Sequence, residues 1–165
     1  MRLFVAVRPP GDVLDALDAL PRSSMAGVRW TTRDQWHITL RFFGDVDDEH
    51  AIVDALQQAR LTTATARVGP RAAMLGRGVV QLPVAGLDEL ATAVVEATRS
   101  FGDEPPARGF RGHLTLARTK GSKVDLRDLT VESEWPVHDI ELMRSHLGRG
   151  GARYETVSRF DLRRI

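Results

Sequence analysis

The spacing of apolar residues along the chain alternates in a regular order between the period of about two residues that strands have and the period of about 3.6 residues that helices have. Residues 2–7, RLFVAV, form a run rich in apolar and β-branched types that predicts a strand. A Pro-Pro-Gly break follows, and the apolar positions of residues 13–20, VLDALDAL, then have helical spacing. The segments after it predict a short strand, a longer strand, a helix and another strand, at 27–30, 36–43, 45–60 and 61–68.

The second half of the chain repeats this order. Residues 78–84, GVVQLPV, predict a strand, and residues 86–100 predict a helix with its apolar side chains on one face. A loop rich in Gly and Pro then leads to a strand that begins HLTLAR at 113–118. Because the two copies lie further apart than solenoid repeats do, we interpret them as a duplicated half-domain within one domain, residues 1–165.

Three further elements complete the prediction, a short helix within 122–129 and strands at 135–145 and 153–162. The loops that join the predicted strands favour antiparallel pairing. We therefore expect an α+β, bilobal protein of two pseudo-symmetric lobes, each with a small, mainly antiparallel sheet and outer helices.

The composition is that of an average globular protein, with 42% apolar and 27% charged residues in a chain of 165. No stretch approaches the roughly 18 consecutive apolar residues of a membrane span, and the first apolar run is too short for a signal peptide. We therefore expect a cytoplasmic protein without a membrane partner. Cysteine is absent, which excludes disulfides, thiolate catalysis and zinc sites built on cysteine.

The net charge of +1 conceals a preference for arginine, because only two of the 23 basic residues are lysines. Codon usage in a GC-rich genome explains such a bias without reference to function, whereas the guanidinium group also suits phosphate oxygens better than ammonium does. Basic residues concentrate in two segments that contain no acid, 105–124 and 142–154. This distribution indicates an anionic ligand.

The two strands that end the repeated units share a motif, HITL at 37–40 and HLTL at 113–116. Because side chains alternate along a strand, His37 and Thr39 share one face, as do His113 and Thr115, while the apolar positions point the other way. We expect the apolar face to anchor each strand in its lobe. The His-x-Thr strands then line a central cleft, where the four polar side chains meet.

One His-x-Thr strand by itself is ordinary, since Thr favours strands and His is tolerated on a half-exposed face. Two copies in matching repeat positions favour a functional interpretation. A zinc site requires three or four ligands, but no Cys exists and no carboxylate has ligand spacing from either His. The Gly-x-Ser-x-Gly motif of serine hydrolases is also absent. We therefore expect neither a metal nor a cofactor.

Two imidazoles that face each other suit a reaction that needs a general acid and a general base together. Threonine hydroxyls donate hydrogen bonds to an anion, and a nearby arginine neutralises charge that develops in the transition state. These groups together favour cleavage of a phosphodiester without a metal.

The paired motifs resemble the H-x-T-x signatures of the two-histidine (2H) phosphoesterase superfamily. The segments MRLFVAV, HITLRFFGDV, GRGVVQLPV, HLTLAR and LMRSHLGRGGARYETVSRFDL are similar to those of bacterial and archaeal RNA 2′,3′-cyclic phosphodiesterases, often named 2′–5′ RNA ligases. The resemblance covers essentially the whole chain. It implies a bilobal α+β fold and hydrolysis of RNA 2′,3′-cyclic phosphate ends to 2′-phosphates without ATP or metal. It also implies the reverse reaction with a 5′-hydroxyl end, which joins RNA through a 2′–5′ bond.

Carried over by motif, the resemblance implies His37 and His113 as the acid–base pair and Thr39 and Thr115 as phosphate donors. The family's arginine, five residues after the second His, falls on Arg118. Opening the ring toward a 2′-phosphate requires protonation of the 3′ oxygen. Our hypothesis makes His37 this acid and His113 the base on water, and the opposite assignment stays open.

Strict alternation causes a difficulty, because it places Arg118 on the apolar face of its strand. Arg118 reaches the phosphate only if the strand ends or bends near Ala117, which the following Thr-Lys-Gly permits. The same alternation puts Phe42 on the buried side of the first strand. We therefore favour Phe43 as the ring that stacks on a terminal base.

Two arginines near the C-terminus, Arg149 and Arg153, are candidates for contacts with upstream RNA phosphates, and Tyr154 lies where the family keeps a similar residue. The expected partners are RNA ends with a 2′,3′-cyclic phosphate, tRNA fragments among them, or small nucleotides. A monomer is the default expectation.

The alternatives are a non-catalytic module that binds nucleotides or RNA ends, and a phosphodiesterase acting on small nucleotide cyclic phosphates or 2′–5′ oligonucleotides. Both histidines and both threonines are intact, which favours catalysis.

Overall fold

The computed structural model describes residues 1–165 and contains three α-helices and ten strands. The helices are α1 (Gly11–Asp18), α2 (His50–Gln58) and α3 (Asp88–Thr98), and a single 3-10 turn covers Arg33–Gln35. The strands are β1 (Arg2–Val7), β2 (Val28–Trp30), β3 (Ile38–Asp45), β4 (Ala64–Val68), β5 (Ala73–Leu75), β6 (Val79–Ala85), β7 (His113–Thr119), β8 (Ser133–Val137), β9 (Asp139–Gly148) and β10 (Gly151–Asp161). None of the helices is long and apolar enough to cross a membrane.

The strands form a continuous curled sheet in the order β10-β9-β1-β3-β7-β6-β4-β8, in which β2 also pairs with β7 and β5 with β6. Every pair of strands is antiparallel. The halves of the sheet meet where β3 pairs with β7 through a single residue pair, Ile38 and Leu114. The predicted bilobal α+β fold is confirmed, and the two His-x-Thr strands are neighbours at its centre.

The helices cover one face of this sheet because each presents apolar side chains at helical spacing. Leu17 of α1, Leu56 of α2 and Val94 of α3 are almost completely buried. They join a core of 34 residues that includes Ile38 and Leu114 from the motif strands. Each fully buried aliphatic side chain contributes about 1.5–3 kcal/mol, so this face anchors β3 and β7 as expected.

Some elements differ from the prediction. The segment 122–129 is irregular, because the Asp125 carboxylate accepts hydrogen bonds from the backbone and side chain of Arg127 and so competes with a helix. The strand predicted at 135–145 is interrupted at His138, where β8 ends before β9 begins. The short strand β5 was not predicted, since its three residues carry no clear alternation.

A β-bulge follows the motif in β3. Ala6 of β1 pairs with Thr39 and the preceding Val5 pairs with Arg41, so Leu40 is an extra residue. A bulge reverses the alternation beyond it. Leu40 and Arg41 are consequently both buried, and the next residue, Phe42, returns to the face of Thr39.

The same irregularity occurs at the same motif position in β7. Gln81 of β6 pairs with Thr115 and the preceding Val80 pairs with Ala117, so Leu116 is the extra residue. Leu116 and Ala117 are both buried, whereas Arg118 is exposed on the face of Thr115. β7 therefore bends near Ala117, which is what Arg118 needs to reach the cleft. The strand continues to Thr119 and does not end at this bend.

Candidate active site

A cleft of about 550 Å³ lies on the face of the sheet where the two motif strands meet. It is lined by side chains from β1, β2, β3, β7, β9 and β10 and from the segment that precedes β3. The lining contains three arginines, Arg2, Arg29 and Arg118, and neither aspartate nor glutamate. The cleft is therefore positively charged and fits an anion.

His37 stands at the start of β3 and is held by two hydrogen bonds. Its Nδ1 lies 2.7 Å from the carbonyl oxygen of Gln35, and its Nε2 lies 3.0 Å from Oγ1 of Thr39. A carbonyl oxygen only accepts, so Nδ1 carries the proton of the neutral ring, and Thr39 donates to the unprotonated Nε2. The ring packs between Phe4 and Tyr154, each with its centroid 4.9 Å away.

This environment makes His37 a weak base. Burial lowers its pKa to about 4, and the hydrogen bond to the Gln35 carbonyl opposes the shift only in part. The nearby positive charges of Arg8 and Arg118 lower the pKa further, as does His113 when it is protonated. The free protein therefore keeps His37 neutral at neutral pH, and a bound anion favours its protonation.

His113 opens β7 and is held in the same way. Its Nδ1 lies 2.9 Å from the carbonyl oxygen of Arg111, so the proton of its neutral ring also lies on Nδ1. Its Nε2 and the hydroxyl group of Thr115 line the cleft without an intramolecular hydrogen bond. The two histidines thus have the same tautomer, but Nε2 of His37 accepts a hydrogen bond from Thr39, whereas Nε2 of His113 has no partner in the protein.

Thr31, which sequence reasoning missed, is bonded to the bulge of β7. Its backbone N–H donates to the Leu116 carbonyl over 2.8 Å, and its hydroxyl lies 2.8 and 2.9 Å from the carbonyls of Thr115 and Leu116. The indole N–H of the buried Trp36 donates to the same hydroxyl over 2.9 Å. These bonds hold the backbone conformation that turns Arg118 into the cleft.

The structure brings five predicted residues together in this cleft, His37, Thr39, His113, Thr115 and Arg118. The choice of Phe43 is wrong, since its side chain is 0% exposed in the core and offers no surface for stacking. Phe42 takes that place. It is 42% exposed, lines the cleft, and has the Arg2 guanidinium 5.1 Å from its ring centroid.

Arg149 and Arg153 are not in the cleft. Arg149 lies in the exposed turn between β9 and β10, and Arg153 is exposed on β10. Tyr154, the next residue, lines the cleft, so alternation directs Arg153 to the opposite face of the sheet. The hairpin contributes Gly151 and Tyr154 to the cleft instead.

The groups of the cleft that are able to coordinate a metal are two imidazoles, hydroxyl groups and an amide. This set lacks the carboxylate or thiolate ligands of most zinc sites. Asp48, Glu49 and His50 do form a cluster of metal-binding residue types near the start of α2. They lie outside the cleft, and His50 already interacts with the Asp48 carboxylate.

The comparisons with known proteins agree with this geometry. Residues 14–149 match the model of the 2′-5′ RNA ligase superfamily. A protein of Thermus thermophilus named RNA 2′,3′-cyclic phosphodiesterase is 31% identical over 99% of this chain and 91% of its own length.

Two solved structures have the same fold. TT0787 of Thermus thermophilus superposes with a TM-score of 0.83 at 28% identity, covering 99% of this chain and 98% of its own. LigT of Escherichia coli in complex with 3′-AMP superposes with a TM-score of 0.81 at 26% identity, covering 98% and 97%. The chain belongs to the 2′-5′ RNA ligase superfamily.

Proposed function

We propose that this protein hydrolyses 2′,3′-cyclic phosphate ends of RNA to 2′-phosphates by two-histidine acid–base catalysis without a metal. One observation carries the proposal. The two motif histidines, one from each lobe, have the same tautomer and line one cleft that contains three arginines and no acid. The names of the relatives support the choice of substrate. With a 5′-hydroxyl end in place of water, the same groups bond its oxygen to phosphorus as the P–O3′ bond breaks, which joins the two ends through a 2′–5′ bond.

In the proposed reaction the cyclic phosphate lies between the two histidines. One imidazole removes a proton from water as the water oxygen bonds to phosphorus, and the other protonates the 3′ oxygen as the P–O3′ bond breaks. Thr115 donates a hydrogen bond to the phosphate, and Arg118 neutralises the charge that develops on its oxygens. The proton taken from water balances the proton given to the 3′ oxygen.

The hydroxyl group of Thr39 is coupled to the protonation of His37. While His37 is neutral, this hydroxyl donates to Nε2 and its proton is not available to a phosphate. Once Nε2 is protonated, it donates instead, and the Thr39 hydroxyl is free to donate to a phosphate oxygen. A bound phosphate thus favours the protonated form of His37, which is the form that the acid role requires.

The leaving group of the substrate distinguishes the two assignments, because the pH dependence of kcat/KM has the same bell shape whichever histidine is the acid. A substrate whose leaving group is better than the 3′ oxygen needs the acid less but needs the base as much. If His37 is the acid, such a substrate should restore much of the activity that His37→Ala loses and little of the activity that His113→Ala loses. The opposite pattern makes His113 the acid.

Base recognition in this proposal depends on Phe42. An exposed ring stacks on any base, so a terminal nucleotide is held without sequence preference. Arg2, over the Phe42 ring, and Leu147, at the rim of the cleft, extend this surface.

The test is incubation of the purified protein, with EDTA present, on a short RNA that ends in a 2′,3′-cyclic phosphate. We expect a 2′-phosphate product identified by mass and by comparison with both synthetic isomers. A 3′-phosphate product contradicts the acid–base geometry, and loss of activity in EDTA contradicts the metal-free mechanism. RNA binding without turnover supports the non-catalytic alternative. Faster turnover of nucleoside cyclic phosphates than of RNA supports the small-nucleotide alternative.

A further inference from the structure

Two arginines of the cleft face each other across neighbouring strands. In the pairing of β2 with β7, Arg29 lies directly opposite Arg118, and both line the cleft. The Cβ atoms of such a pair are about 4.5–5.5 Å apart, and like charges on directly opposite residues are destabilising. Neither guanidinium has a hydrogen bond or an ion pair within the protein, and both side chains are exposed. Two uncompensated guanidinium groups on one side of the cleft attract anions to it.

The guanidinium of Arg29 lies against the hairpin between β9 and β10. A Cβ atom at Gly151 would lie 3.3 Å from its Nη1 and 3.6 Å from Nε2 of Gln35. Gln35 donates one N–H of its amide to the carbonyl of Ala152 over 2.6 Å, which leaves its second N–H free. Donors from Arg29 and Gln35 therefore converge beside Gly151, which lacks a side chain and so leaves the space between them open.

We propose that Arg29, Gln35 and Gly151 form a second phosphate subsite, which binds the phosphate on the 5′ side of the terminal nucleotide. This inference rests on the proposed function, because it assumes that the cyclic phosphate occupies the site of the two histidines. The guanidinium fork matches the oxygens of a phosphate, and the cleft contains no acid that competes for it.

The chemistry of the terminal nucleotide identifies this second anion. With the cyclic phosphate between His37 and His113 and the base on Phe42, the remaining charged group of the nucleotide is its 5′-phosphate. In RNA that group is the diester bond to the preceding nucleotide. A nucleoside 2′,3′-cyclic phosphate has no such group and leaves the subsite empty. The subsite therefore distinguishes RNA ends from nucleoside cyclic phosphates.

The first experiment measures binding and needs no turnover. Calorimetry compares adenosine 2′-monophosphate with adenosine 2′,5′-bisphosphate, which differ only in the 5′-phosphate. We expect the wild-type protein to bind the bisphosphate about 10-fold to 100-fold more tightly, as hydrogen bonds to charged groups allow. Arg29→Ala should remove this preference and leave the affinity for the monophosphate within about twofold. Arg153→Ala removes the same charge outside the cleft and should retain the preference.

The second experiment measures turnover of adenosine 2′,3′-cyclic phosphate and of a dinucleotide that ends in the same group. Arg29→Ala should raise KM for the dinucleotide by about 10-fold or more, with kcat retained and the nucleoside substrate unaffected. Equal losses on both substrates assign Arg29 to the same phosphate as Arg118 and overturn the subsite. A variant without any effect also overturns it.

The two proposals fail separately in these experiments. If the wild-type protein hydrolyses neither substrate, the proposed function is wrong, while the calorimetric preference for the bisphosphate still decides the subsite. If the protein hydrolyses both substrates but binds the bisphosphate no more tightly than the monophosphate, the subsite is wrong and the proposed function stands.

Discussion

The strands β3 and β7 have the same motif and the same bulge, yet they present different side chains to the cleft. Phe42 stands five residues after His37, and Arg118 stands five residues after His113. Each is turned into the cleft because a bulge reverses the alternation between the Thr and this position. One geometry, used twice, thus supplies an aromatic surface on one side of the cleft and a cation on the other.

The residue that follows the extra leucine of the bulge also differs between β3 and β7. In β3 this residue is Arg41, whose buried guanidinium donates to the carbonyls of Thr98, the last residue of α3, and of Phe101 beyond it. In β7 it is the small Ala117, and the bulge is bonded instead to Thr31. The two bulges are therefore held by unrelated contacts, which explains how chemically different lobes keep one backbone geometry.

The histidines show the same contrast. Both are fixed through Nδ1 to a backbone carbonyl two residues earlier. Only His37 is enclosed by aromatic rings and bonded to its own threonine. Matching hydrogen bonds thus set a common orientation, while the two imidazoles have different surroundings.

Loss of either histidine should have the largest effect on catalysis. We expect His37→Ala and His113→Ala each to lower kcat on RNA cyclic phosphate by about 10²–10⁴-fold, since each removes a proton-transfer group. His138→Ala, an exposed histidine outside the cleft, is the control and should retain full activity. Wild-type kcat in either cleft variant would remove that histidine from the mechanism.

The next largest effect concerns Arg118. We expect Arg118→Ala to lower kcat by about 10²–10³-fold, because the charge that develops on the phosphate loses its cation. Arg118→Lys should recover only part of this loss, since ammonium lacks the guanidinium fork. An increase in KM with unchanged kcat would instead make Arg118 a residue of ground-state binding.

The equivalent residue of the first lobe should affect binding instead of chemistry. We expect Phe42→Ala to raise KM by about 10-fold with kcat retained, because base stacking contributes about 1–3 kcal/mol. Phe42→Tyr keeps the ring and is the matched control. Substrates with each of the four terminal bases should lose affinity to a similar degree. A selective loss for one base would contradict recognition by stacking alone.

A smaller effect should follow from loss of the hydrogen bonds between Thr31 and the bulge of β7. Thr31→Val keeps the shape of the side chain but removes the hydroxyl that bonds to the bulge carbonyls. We expect kcat to fall by about 10-fold or less, in line with the loss of one hydrogen bond. Thr31→Ser restores the hydroxyl and should restore kcat.

Coupling between Thr31 and Arg118 tests whether Thr31 acts as a positioning residue. If Thr31 acts only through Arg118, Thr31→Val should cause no further loss of kcat in an Arg118→Ala background. Additive losses would show that Thr31 supports catalysis by another route.

The last expected effect concerns the pH dependence of stability instead of catalysis. The pKa of His37 is lowered to about 4 by folding, so the unfolded chain binds more protons between this value and about 6.5. The contribution of His37 is fully present above that window and decreases as the pH falls through it. We expect His37→Gln to have a shallower decrease of the free energy of unfolding between pH 6.5 and 4, measured by urea titration.

Much of the fold could be predicted because its signals are local. The periodicity of α1, α2 and α3 and the runs of β1, β6 and β7 are visible in short windows of sequence. The elements that differ depend on local competition that the pattern does not show, as where the Asp125 carboxylate binds the backbone of Arg127 in place of a helix.

For the site, the sequence alone determined the types of the polar residues and the pair of motifs that contain them. His37, Thr39, His113 and Thr115 could be assigned to one cleft because they directly continue two recognisable strands. Phe43 was the wrong choice because strict alternation fails beyond Leu40, and a bulge depends on the register of the paired strand.

Only the tertiary structure decided which further side chains line the cleft. Phe42 and Arg118 enter the cleft because β1 and β6 pair with the motif strands one residue out of step. Arg29 joins them because β2 pairs with β7, nearly ninety positions away along the chain. Residue types and local periods are properties of short segments, whereas register and strand pairing arise from contacts between distant segments, which no local pattern specifies.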